Sequence, residues 1–272
     1  MDKNPLGEKP NFPDKYDPDI LYPIPRWPSR SLLDIDKKVP LHGFDFWRAY
    51  ELSWLNAVGK PEVGVGELFF DARSENLVES KSLKLYLNSL NNERFASSQE
   101  FAARIASDLT GVTRSEVEVI VKSCTDESLL TLDKPPGTCL DQHEVEISTY
   151  LPDASLLQSG EQELNSVSLF SDLFRSNCPI TGQPDWATFM IEYSGVEIDE
   201  NSLLAYICSF RQHQGYHEEC VELIFRDIMM HCHPTDLIVG LNYTRRGGLD
   251  INSFRSNNHI SPDQLSFRLA RQ

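Results

Sequence analysis

Residues 186–243, WATFMIEYSGVEIDENSLLAYICSFRQHQGYHEECVELIFRDIMMHCHPTDLIVGLNY, decide the fold. Trp186–Tyr193 has the pattern of a strand, and Leu237, Val239, Leu241 and Tyr243 alternate as a final strand. Between them, about Asn201–Gln212 and His217–Met230 carry helical periodicity and part near Gly215. The order is strand, helix pair, strand.

The first half repeats that order. Phe46, Arg48, Tyr50, Leu52 and Trp54 occupy alternate positions of a strand over Phe44–Trp54, and a second strand is expected over Glu62–Asp71. Ser97 and Glu100 have capping-box spacing, Phe101, Ile105 and Leu109 share a helix face, and Gly111 marks its expected end. Val117, Val119 and Val121 alternate as another strand. Strand runs followed by helix runs predict an α+β fold with antiparallel sheets, because a parallel doubly wound sheet needs regular strand–helix alternation. A pseudo-repeat of one α+β unit is expected from element order alone.

Residues 1–40 hold prolines at 5, 10, 13, 18, 23, 25, 28 and 40, which remove backbone donors and break helix. They read as an extended N-terminal arm that Tyr16, Ile20, Leu21, Tyr22, Ile24 and Trp27 dock onto a domain. Residues 151–167, rich in Ser, Gln and Glu without a period, read as a linker between a first unit, 41–150, and a second, 168–272. Two domains suit 272 residues.

The net charge of −16 argues against broad electrostatic binding to nucleic acid or anionic membrane, so an anionic ligand needs a local basic patch. No apolar run approaches the roughly 20 residues of a membrane span, and the polar start, Met1–Pro10, lacks an apolar leader segment. The six cysteines are scattered without a CxxC pair, as expected for reduced thiols. A cytoplasmic protein follows.

Cys178 stands between polar residues in a Pro- and Gly-punctuated loop just before a strand, where a thiol near donors or cations can be drawn toward thiolate. Asp185, seven residues on, is placed to fold back and give a proton. An ordinary loop cysteine and a turn aspartate remain open on these residues alone. Glu79-Ser80-Lys81-Ser82-Leu83-Lys84 is expected to start a helix with Ser80 as cap and Lys81 at its positive end, facing a phosphate or only solvent. Arg245-Arg246-Gly247-Gly248 forms either a phosphate clamp or a plain charged turn. His217-Glu218-Glu219 offers a carboxylate for adjacent N–H donors, or ordinary helix-start acids. His231-Cys232-His233 lacks a partner cluster with metal-ligand spacing and reads as a surface helix end, so no metal is expected. Gly64-Val65-Gly66 is followed by Phe69 where a dinucleotide fingerprint needs its third glycine.

In order along the chain, ESKSLKLYLNS from Glu79, SNCPITGQPDW from Ser176, FRQHQGYHEEC from Phe210 and YTRRGGLDINSFRS from Tyr243 resemble the long-form 7-cyano-7-deazaguanine reductase family. The resemblance implies two tandem tunnelling-fold units, a homodimer, and NADPH-dependent reduction of a nitrile to an aminomethyl group in queuosine (tRNA modification) biosynthesis. It implies that Cys178 forms a covalent thioimide and that Asp185 donates a proton. Val78, Glu79, Ser80, His217 and Glu218 would line the deazaguanine pocket. Ser80, Lys81, Arg246 and Gly247 would hold NADPH, two per turnover. The alternatives are a zinc-dependent cyclohydrolase on the same fold and a noncatalytic purine-binding protein.

Overall fold

The computed structural model describes residues 13–35 and 40–272; the polar start at Met1–Pro10 lies outside them. The chain divides into two compact units that interleave along the sequence. The first comprises the described residues up to Pro28 with Phe46–Thr131 and Arg245–Asp250. The second comprises the described part of Ser29–Asp45 with Leu132–Thr244 and Ile251–Gln272.

In the first unit the arm is docked by a short strand, β1 (Pro23–Pro25), antiparallel to β4 (Asn76–Val78). Leu21 is buried, and the Tyr16 hydroxyl donates to Asp108 Oδ2 at 2.9 Å. Trp27, expected among the anchors, is instead largely exposed. The long strands are β2 (His42–Leu55, whose residues from Phe46 belong here) and β3 (Pro61–Asp71), with β5 (Val117–Lys122) antiparallel to β3.

A first short helix, α1 (Trp27–Leu33), follows the arm and from Ser29 belongs to the second unit; α2 (Ser80–Ser89) and α3 (Ser98–Thr113) are the helices of the first. Trp54 stacks on Phe101 with ring centroids 4.6 Å apart, joining strand to helix through two residues the alternation and the helix period each placed inward. Ser97 caps α3 as expected, accepting from the Glu100 N–H at 3.2 Å. The Glu100 carboxylate reaches back one residue farther than the motif requires, to the Ala96 N–H. The helix also runs past Gly111: a Cβ at that position would meet open space, and the chain turns only at Arg114, which adopts φ +56°.

In the second unit the strand order is β11 (Leu249–Ser256, from Ile251), β10 (Asp236–Tyr243), β9 (Pro184–Ile198), β7 (Ser159–Ser171) and β6 (Thr138–Cys139). β10 is antiparallel to both neighbours, and β8 (Arg175–Asn177) pairs with the start of β9. Helices α4 (Glu200–Cys208) and α5 (His217–Cys232) share the core with this sheet, burying Leu203, Ile207, Val221, Ile224 and Phe225 with Phe189, Ile191 and Val239. Tyr206 on α4 donates to Asp227 Oδ2 on α5 at 2.7 Å, satisfying two buried polar groups at once. A second buried network joins α5 to the segment before β2: Glu222 meets Arg30 at 2.6 Å and Arg255 at 2.9 Å, and Arg255 meets Asp45 at 2.8 Å.

Two expectations are corrected here. Residues 151–167 are not a linker: they contain a short turn at Ala154–Leu156 and most of β7, which pairs with β9 across two register shifts. Its outer half is exposed on both faces, so its polar composition carries no alternation although its backbone is paired. Nor is Leu237–Tyr243 the last strand, because β11 follows, buried at all eight positions. Both units nonetheless run strands, a helix pair and a return strand, an α+β arrangement rich in antiparallel pairing. Among the described residues no helix is long and apolar enough to cross a membrane.

Candidate active site

Cys178 is positioned by a hairpin. β8 ends at Asn177, the Cys178 N–H donates to the Gln183 carbonyl and the Gly182 N–H to the Cys178 carbonyl, both at 2.9 Å. Gly182 takes φ +68°, which a side chain would strain. The two strands run in a register that sets Ser176 opposite Asp185 and Arg175 opposite Trp186. Side chains alternate along a strand, so Ser176, Cys178 and Asp185 share one face while Arg175 and Trp186 share the other. Cys178 and Asp185 come to one face through this register, and their seven-residue spacing is only its consequence.

The hairpin is clamped to the loop that starts α5. Asn177 donates its backbone N–H to the His213 carbonyl at 2.8 Å and accepts from the Gly215 N–H at 3.2 Å. Its side-chain amide also donates to the Arg211 and His213 carbonyls. That clamp brings His217, the first residue of α5, over the same face: His217 Nε2 lies 3.4 Å from Asp185 Oδ2. Glu218, next along α5, and Asp185 are both buried, whereas Cys178 remains half-buried at the hairpin end. Burial pushes the Cys208 and Cys232 thiols upward and the Cys220 thiol to about 12, so those three are held as unreactive core thiols. Cys232 sits in the core between the exposed His231 and His233, which separates the members of that sequence triplet.

The remaining expected residues lie in the first unit. Val78 and Glu79 are buried and Ser80 half-buried at the junction of β4 and α2. Glu79, not Ser80, caps the helix: its two oxygens accept from the Lys81 N–H at 2.9 Å and the Ser82 N–H at 2.7 Å. The longer Glu79 side chain reaches back to donors that Ser80, already the first helical residue, cannot cap. A carboxylate therefore fills the positive helix end expected for a phosphate, and any anion must be held here by side chains.

Lys81 and Lys84 lie three apart on α2 and so share a face. Gly247 adopts φ +59°, which a side chain would strain, and a Cβ there would lie 2.9 Å from the flexible end of Lys84, so the 245–248 turn lies against this lysine. Beside it is a cavity of about 370 Å³ lined by Glu51, Lys84, Asn88, Gly247, Gly248 and Leu249. Tyr50 staples the turn, donating its N–H to the Gly248 carbonyl at 2.9 Å, while the Arg245 guanidinium stacks 4.3 Å above its ring. Lys84 lines the cavity, while Lys81 stands on the same helix and Arg245 and Arg246 on the adjoining turn, so these elements carry the local positive charge that an anionic dinucleotide requires in an acidic chain. The residues present fit that group.

Comparison with known proteins now joins the geometry. A family model described as nitrile reductase, 7-cyano-7-deazaguanine-reductase N-term, matches residues 12–121, and one described as QueF-like protein matches residues 184–262. The NADPH-dependent 7-cyano-7-deazaguanine reductase of Desulfotalea psychrophila is 47% identical, over 98% of this chain and 97% of its own. Its namesake in Saccharophagus degradans is 48% identical over 93% of each chain, and that in Teredinibacter turnerae 47% over 98% and 97%. This chain belongs to the 7-cyano-7-deazaguanine reductase family.

Sequence reasoning passed over several residues that shape this reductase-family site. Ser176 and Asn177 belong to a three-residue strand too short for any periodic signal. Trp186 is flanked by two guanidinium groups, Arg175 at 5.3 Å and Arg211 at 5.6 Å, a pairing across the hairpin and the α5 loop that spacing does not reveal. Tyr243, read only as a strand residue, stacks on His217 with centroids 3.8 Å apart.

Proposed function

We propose that this chain reduces the nitrile of 7-cyano-7-deazaguanine to an aminomethyl group at the expense of two NADPH. The observation that carries this reading is the register of β8 on β9, which gives Cys178 and Asp185 a common face beneath His217. A nitrile resists hydride addition until a nucleophile has added to it, and the half-exposed Cys178 is the thiol placed to do so. The thiol proton passes to Asp185 as the sulfur bonds to the nitrile carbon, one pair of π electrons moves to nitrogen, and Asp185 protonates that nitrogen to give a thioimide. His217 then re-protonates or holds Asp185 by their 3.4 Å contact.

Glu218 and Glu79 are acceptors for the N–H edge of the deazaguanine, with Val78, Ser80 and His217 completing its pocket. Ser80, Lys81, Arg246 and Gly247 hold NADPH, with Lys84 beside them. When bound, NADPH supplies the two hydrides that make this a four-electron reduction.

The parallel element order of the two units supports tandem tunnelling-fold units. Among the described residues β5 pairs with β3 alone, leaving an edge that suits strand addition by a second copy in a homodimer. Six free cysteines fit a reducing cytoplasm, and the product would enter queuosine biosynthesis. NADPH absorbance followed with limiting nitrile tests the activity: two equivalents consumed per nitrile support it, and consumption independent of the nitrile contradicts it.

A further inference from the structure

We infer that Tyr243 is a positioning residue for the catalytic face: its ring fixes the plane of His217. This rests on the roles proposed for Cys178, Asp185 and His217. Tyr243 pairs with Ala187 in the β10–β9 ladder, and Ala187 is two residues beyond Asp185. Strand alternation therefore puts Tyr243, Asp185, Ser176 and Cys178 on one face of three consecutive strands.

The α5 helix covers that face with two residues one turn apart, His217 and Cys220. His217 lies on the Tyr243 ring at 3.8 Å, tilted by 31°, while its Nε2 reaches Asp185. Cys220, Tyr243 and Ser176 are all buried. Two further contacts hold this floor still. Phe174 packs edge-on against Tyr243 at 6.1 Å, and Gly215 brings its backbone so near that a Cβ would sit 3.3 Å from Cys220 Sγ.

An imidazole gripped on one face by a ring and at one nitrogen by a carboxylate has lost its freedom to rotate. That restriction matters because misplacement of a reacting group by about 1 Å can cost on the order of 100-fold in rate. The ring of Tyr243 sets the orientation of His217, and Phe174 packs against that ring.

The test is the rate of nitrile adduct formation on the full chain without NADPH, read by intact mass, with thermal melts confirming that each variant folds. Tyr243→Leu, which removes the ring, slows it at least about tenfold and adds nothing on a His217→Ala background. Tyr243→Phe, which keeps the ring, leaves it at the parent rate. Parent-like rates in folded Tyr243→Leu, or effects that multiply in the double variant, overturn the inference. If Tyr243→Leu does not fold, Tyr243→Phe decides, and a slowed adduct in that folded variant overturns the inference. Should His217→Ala itself leave the rate unchanged, the role proposed for His217 fails first and takes this inference with it.

Discussion

Asp185 faces Ser176 across the β8–β9 ladder, so it shares a face with Cys178 and lies 3.4 Å from His217. Asp185→Asn keeps the shape and removes the proton. The single-turnover rate of nitrile reduction is expected to fall by about 10²–10⁴, the usual contribution of a positioned general acid, with nitrile affinity changed far less. An unaltered single-turnover rate would take Asp185 out of the mechanism.

Asn177→Ala removes the side-chain half of the clamp between the hairpin and the loop before α5 and leaves its two backbone bonds. Loss of the two side-chain bonds to the Arg211 and His213 carbonyls should cost about 1–2 kcal/mol, measurable by urea unfolding. The same variant slows adduct formation, because the hairpin that carries Cys178 is then held less firmly to the loop before His217.

Glu222 is shared by two buried guanidinium groups, those of Arg30 and Arg255. Glu222→Ala removes a carboxylate from both and leaves Arg255 with Asp45, so a destabilisation of about 3 kcal/mol is expected in chemical denaturation. A cost below about 1 kcal/mol would show that the network contributes little.

Alkaline pH should unfold the chain through its buried thiols. Cys220 has its ordinary value of 9.0 raised to about 12 by burial, with Cys208 and Cys232 raised in the same sense. The folded state therefore keeps a proton that the unfolded state loses. This contribution is fully present below pH 9.0 and is lost as pH rises toward about 12, at up to about 1.4 kcal/mol per pH unit for Cys220. Cys220→Ala should flatten the stability profile across that window.

Gly247→Ala places a methyl against Lys84 at a left-handed backbone position. Weaker binding of NADP⁺, followed by titration calorimetry, is the expected result; unchanged affinity would move the dinucleotide away from this turn.

What could be read in advance follows the physics of each segment. The later half of β2 alternates because its faces meet different surroundings, and Trp54 and Phe101 could be placed inward from pattern alone. β11 could not: Asp250 and Arg255 are buried on opposite faces, satisfied by distant partners such as Tyr50 and Asp45. β7 hid for the opposite reason, with both faces of its first half open. At the site, Cys178 and Asp185 stood out by residue type and loop context. Their pairing, the Asn177 clamp and the Tyr243 stack are products of strand register, and register is set by contacts that no local window contains. The Glu79 cap shows the same limit in one turn, where reach and not residue preference decides.

The most direct test is the intact mass of the chain after mixing with 7-cyano-7-deazaguanine alone and then with NADPH. The expected result is a gain equal to one nitrile, absent in Cys178→Ala and discharged when NADPH is added. A gain that survives in Cys178→Ala, or nitrile-dependent NADPH oxidation by that variant at the parent rate, would contradict the covalent role of Cys178.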